Sequence, residues 1–163
     1  MRALRLAAVL LTALALVPSA AHLFELPHKI RLPEQQYFVV QGIYRGWALF
    51  GAVLIAAAIV NLILGAALHR RRERAWPALA AGLLVALTIV VFFLWTDPAN
   101  RATANWTTIP ADWRRLRAEW EYSHAANAIL TLAVLCLAAL AAIGPRDDGG
   151  AAASRRNAIS DRG

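Results

Sequence analysis

Residues 47–68 read WALFGAVLIAAAIVNLILGAAL, 22 positions without one charged side chain. As a helix rising about 1.5 Å per residue, the stretch covers the ~30 Å hydrocarbon core of a bilayer. Three further blocks repeat the pattern, at about residues 6–24, 76–96 and 123–143. The reading is an all-α fold, a four-helix antiparallel transmembrane bundle. Its second and third spans are joined by the basic turn that starts His69-Arg70-Arg71-Arg72, too short for anything but a helical hairpin. Composition agrees. Of 163 residues 60% are hydrophobic and 17% charged, whereas soluble domains hold about a quarter charged residues. A disordered chain, a disulfide-rich secreted module and an ordinary water-soluble enzyme are excluded. Cys136, the single cysteine, has no internal disulfide partner and is expected as a small core residue of the last span.

The net charge of +7 is distributed along the chain in a telling way. Arg2 and Arg5 precede the first span, Arg70, Arg71, Arg72 and Arg74 fill the turn, and Arg146, Arg155, Arg156 and Arg162 follow the last span. Short segments dense in arginine stay on the cytoplasmic side, so both termini are expected there and the two longer loops outside. Such a chain belongs in a bacterial inner (plasma) membrane as a multi-pass protein. The basic residues lack the interleaved aromatics of a recognition module, so nucleic acid is not an expected partner. Residues 1–145 form the expected membrane domain and residues 146–163 a disordered cytoplasmic tail. Residues 1–21 fit either a retained first span or a cleavable signal peptide, with Pro18 before Ser19-Ala20-Ala21. Residues 22–42 are expected as an outer loop broken at Pro27 and Pro33.

Polar groups at membrane depth are costly and need partners. In residues 108–131, TIPADWRRLRAEWEYSHAANAILT, nothing after Pro110 interrupts a helix, so the outer segment should run straight into the last span. On that helix Trp113, Arg117, Trp120, His124, Asn127 and Thr131 recur at spacings of three and four and share one face. Such a stripe forms either an interhelical hydrogen-bond seam or the wall of a pocket. Groups expected at the same outer level are His22, Glu25, Lys29 and His28; Tyr37, Gln41, Tyr44 and Arg45; and Asp97, Asn100 and Asn105. The candidate pocket comprises His22, Glu25, Tyr44, Arg45, Asn100, Trp113, Trp120, Glu121 and Asn127, with either Glu25 or Glu121 paired to Arg117. For metal or haem the supply is thin: His69 lies at the other end, no HExxH or CxxCH motif occurs, and His22 with His124 are the candidate ligands. No metal or cofactor is therefore assigned.

Residues 98–135, PANRATANWTTIPADWRRLRAEWEYSHAANAILTLAVL with a Trp-Glu-x-x-His entering the last span, together with HLFELPHKIRLP and QGIYRGW, resemble the anthrone-oxygenase-like family of small four-helix membrane proteins. The likeness runs over roughly residues 1–143. It implies a four-helix membrane fold and, from better-understood relatives, cofactor-independent oxygenation of polycyclic anthrones. By that analogy His124 would remove an acidic C–H proton, Arg117 would stabilise the resulting oxyanion, and Trp120 would stack on the substrate.

Three functions are expected of such a chain. The first is a binding or accessory component that takes the bilayer and a lipophilic small molecule as partners. The second is an oxygenase or oxidoreductase acting on a hydrophobic aromatic compound. The third is a haem- or metal-binding membrane protein. A protein partner and self-association are both left open.

Overall fold

The computed structural model describes residues 1–143, and every regular element among them is helical. Helix α1 spans Arg2–Lys29 and α2 spans Glu34–Gln41. Two single 3-10 turns, Gly42–Tyr44 and Trp47–Leu49, lead into α3, Phe50–Arg70. Helix α4, Trp76–Val91, passes through a π-helical turn at Phe92–Thr96 into α5, Asp97–Ala102. Helix α6 covers Trp113–Ala142. Four of these stretches are long and apolar enough to cross a membrane: 2–29, 47–70, 76–102 and 113–142. They close a ring in which α1 packs on α3 and α6, and α4 packs on the same two helices.

The spans are longer than their hydropathy alone implies. Pro27 lies inside α1 rather than ending it, because a proline near a helix end removes a single backbone hydrogen bond and the helix stops two residues later. The expected loop over 22–42 is therefore mostly helix, interrupted only around Ile30–Pro33. The long helix expected after Pro110 is present as α6. The tail expected over 146–163 lies outside the described residues.

Size sorting of side chains across the ring is what a lipid solvent produces. The interior is built of small residues such as Ala8, Ala57, Ala78, Ala81, Ala128 and Ala138, all at most 2% exposed. Most large apolar side chains face outward, among them Leu10, Val17, Ile59, Leu83 and Ile129, each at least half exposed, while Leu64, Leu68, Val85 and Val134 are buried. Hydrocarbon tails solvate leucine as well as a protein core does, so backbones gain from approaching closely and large side chains lose nothing by turning out. Gly65 and Gly82 mark the closest approach. A Cβ on Gly65 would lie 2.5 Å from Leu79 Cδ2, and one on Gly82 equally close to Leu62 Cδ2, so α3 and α4 each seat a leucine over the other's glycine. Cys136 belongs to the outward set: it is exposed, which corrects the core position expected for it. At mid-span Asn61 Nδ2 donates across the ring to Thr12 Oγ1 at 3.2 Å and within its own helix to the Ala57 carbonyl at 2.8 Å.

The two ends of the ring differ. At one end Arg5 joins the start of α1 to Glu73 in the α3–α4 turn and, at 3.5 Å, to the Ala142 carbonyl at the end of α6. The aromatic and acidic residues gather at the other.

Candidate functional site

Lysine 29 is the centre of that second end. It occupies the last position of α1, is 3% exposed, and reaches Tyr44 Oη at 2.7 Å, Glu121 Oε1 at 3.2 Å and Glu25 Oε2 at 3.6 Å. The ammonium also lies 4.2 Å from the centre of the Tyr44 ring and 4.7 Å from that of Trp120. A cation held by carboxylates and aromatic faces together is well compensated for its loss of water. Glu121, fully buried in the third turn of α6, accepts from Tyr37 Oη at 2.8 Å, and Gln41 Nε2 donates to the same phenol oxygen. Tyr44 donates in turn to Glu25. Burial first, then the Glu121 carboxylate, pushes the Tyr37 phenol far above its ordinary range. Burial first, then the bond to Glu25, does the same for Tyr44. Both stay neutral donors at any physiological pH.

The Glu25 or Glu121 pairing expected for Arg117 is thus corrected: both acids go to Lys29. Arg117 instead donates from Nη1 to the Leu32 carbonyl at 2.9 Å, with its guanidinium over the rings of Trp113, 4.6 Å, and Tyr37, 5.3 Å. It stands two helical turns from His124, about 10 Å along the axis. The structure does not bring these two residues to one reacting atom.

The histidines meet. The rings of His22 and His124 are 4.3 Å apart, edge to face, and His22 also contacts Tyr44 at 4.5 Å, Trp120 at 5.0 Å and Trp47 at 5.5 Å. Trp120 and His124 stack at 4.0 Å. His124 Nδ1 lies 2.9 Å from the Trp120 carbonyl, which can only accept, so Nδ1 carries the proton and Nε2 keeps its lone pair. His22 Nδ1 is buried without a partner. So are Asn127 Oδ1, one turn beyond His124, and, nearer Tyr37, Glu121 Oε2 and Gln41 Oε1. Three of these four orphans accept only, and a buried acceptor without a donor costs about 1–3 kcal/mol. Around the histidines the orphans call for donated protons, while Arg117 Nε, whose guanidinium lies over Tyr37, is a buried donor without an acceptor.

Asn100 seats the aromatic wall. Its Oδ1 accepts from both indoles, Trp120 Nε1 at 2.9 Å and Trp106 Nε1 at 3.2 Å. Trp106 reaches this position through three successive left-handed residues, Ala104, Asn105 and Trp106, with φ of 48°, 56° and 64°. That conformation costs roughly 1–2 kcal/mol per residue. Thr103 holds it by accepting from the Trp106 amide at 3.0 Å. At the π-helical turn, Ser123 donates to the Trp120 carbonyl at 2.9 Å and receives Thr96 Oγ1 at 2.7 Å, joining α4's extension to α6.

Of the residues expected in the pocket, His22, Glu25, Tyr44, Asn100, Trp113, Trp120, Glu121 and Asn127 lie at this end, as does His124. Arg45 does not join them: it is exposed and has no ion pair among the described residues, because the chain turns outward between the two 3-10 turns. Lys29, Tyr37 and Gln41, which the sequence puts at the same level without assigning them a role, carry the buried network. The 22–25–29 spacing on α1 was the available signal. For a metal, His22 and His124 supply two imidazoles, and among the described residues no group of three His, Cys, Asp or Glu side chains converges. For haem the two rings are already in contact, with no room for a porphyrin plane between them. Comparison of the chain with protein-family models, with curated proteins and with solved structures finds no match.

Proposed function

We propose that the chain is a multi-pass membrane protein of antiparallel spans with both termini cytoplasmic, as in a bacterial plasma membrane, and that its outer end binds a lipophilic molecule carrying a hydroxyl group. The arginine-rich turn and the start of α1 share one end of the ring, which the positive-inside rule assigns to the cytoplasm. The carrying observation for the ligand is the His22–His124 pair. It offers an unpartnered ring nitrogen and a free Nε2 inside walls of Tyr44, Trp47 and Trp120. Aromatic walls with a few placed acceptors suit a flat, apolar molecule with one O–H to donate. The detergent-purified protein, titrated with 1-naphthol and with naphthalene while tryptophan fluorescence is followed, is expected to bind the naphthol about tenfold more tightly, the worth of one added hydrogen bond. His124→Phe should erase that preference. Equal binding of the two probes by the unaltered protein would overturn the reading.

One observation favours a second reading, an oxygenase for an anthrone-like compound. With its Nδ1 proton held by the Trp120 carbonyl, His124 presents Nε2 as a base in a low-dielectric site. Oxygenation would turn a substrate CH2 into C=O, with one O2 consumed and one water released. Lys29, rather than Arg117, is the cation beside the Trp120 ring. The expected result is oxygen uptake on adding anthrone, lost in His124→Ala and retained in Arg117→Gln. No uptake above the protein-free rate rejects catalysis and leaves the binding reading standing.

A further inference from the structure

The opposite end of the ring carries an unexplained cost. Helix α3 ends in a Schellman motif: the Glu73 amide donates to the Leu68 carbonyl at 3.0 Å and the Arg72 amide to the His69 carbonyl at 3.0 Å. The residue between helix and turn in this motif is left-handed, and glycine fills it without strain. Here the position is Arg72, with φ of 57°. Four arginines, Arg70, Arg71, Arg72 and Arg74, are exposed on this one turn. The acid among them, Glu73, is engaged by Arg5, whose other arm reaches the Ala142 carbonyl. None of the four has an ion pair among the described residues. Residues 144–163 add four arginines against three aspartates, so their own charge does not offset the turn. The topological preference for arginine at this end accounts for positive charge, but it would be served as well with glycine at 72. A strained backbone kept for its side chain suggests that the side chain is used.

We infer that the Arg70–Arg74 turn is a binding site for anionic phospholipid headgroups, with the Arg5–Glu73 contact holding the turn in place. Guanidinium groups suit phosphate through paired N–H donors. Trp76, exposed at the start of α4 just past the turn, is of a type that anchors at the membrane interface, which would set the arginines at the level of the lipid phosphates. The acyl chains would lie against the outward leucines of the hairpin.

The delipidated protein in neutral detergent, given equal amounts of phosphatidylglycerol and phosphatidylcholine, is the test, with bound lipid counted by native mass spectrometry. Phosphatidylglycerol should be retained preferentially. Arg72→Gly should cut that preference about fivefold while raising the melting temperature by a few degrees, since it removes strain and one charge together. Changing Arg70, Arg71 and Arg74 to Gln should reduce it on the order of a hundredfold with the melting temperature unchanged. Millimolar inorganic phosphate should displace little of the lipid. Equal retention of the two lipids, Arg72→Gly that melts lower, or full displacement by free phosphate would each overturn the assignment.

Discussion

Glu121→Leu is expected to destabilise the bundle by about 3–5 kcal/mol, measured as chemical unfolding in detergent, and adding Lys29→Met is expected to recover most of that loss. The argument rests on burial. Lys29 is 3% exposed and Glu121 fully buried, so deleting the carboxylate leaves an ammonium that water cannot reach. Glu25 lies 3.6 Å from the ammonium and its side chain is 38% exposed, so it compensates only in part. Tyr37 and Gln41 would also lose the acceptor that orients them. The double variant removes both charges and leaves apolar side chains of similar length in a space already walled by Tyr44 and Trp120. Glu25→Gln should cost far less, about 1 kcal/mol or below, because solvent screens it. If the double variant is as unstable as the sum of the two single ones, the charges act separately and the network described here is wrong.

Much of the architecture was legible because hydropathy over 20 residues has few alternatives: a charge-free block of that length is a helix long and apolar enough to cross a membrane. Which side of each helix faces inward was less so. Alanine and leucine are equally apolar, and only the packed ring shows that small residues face in and large ones out, which is why Cys136 was misplaced. The stripe on α6 was readable from its spacing, since a polar side chain amid Ala, Leu and Ile has one direction it can face. Its partners were not readable. Arg117 and Lys29 are both cations near the same acids, and spacing along one helix cannot say which of them another helix delivers. The answer depends on where α1 ends: Pro27 did not stop it, and the extra turn carries Lys29 under Glu121 while Arg117 is left to the Leu32 carbonyl. The left-handed turn at 104–106 had only a weak signal: Asn105 tolerates that conformation, but Ala104 and Trp106 do not favour it and no glycine marks it.

Trp120→Ala is expected to cost about 3–5 kcal/mol and to abolish the naphthol preference, the larger share of the loss coming from the cavity it leaves. The indole is 4% exposed and touches His22, Tyr44, Trp106 and His124 at once, while Lys29 sits over its face. Among the described residues no other aromatic ring meets both histidines. Trp120→Phe separates two contributions. A phenyl group refills part of the space and still stacks on His124, but it leaves Asn100 Oδ1 with Trp106 alone, so stability should fall by about 1–2 kcal/mol while much of the ligand preference survives. Trp76, which is 55% exposed at the opposite end of the ring, supplies the comparison: its alanine variant removes as large an indole, but from a surface that lipid can cover, and should change unfolding by less than about 1 kcal/mol. Should the two alanine variants prove equally costly, burial inside the ring would not be what stabilises Trp120, and the aromatic cluster around the histidines would have to be open to lipid.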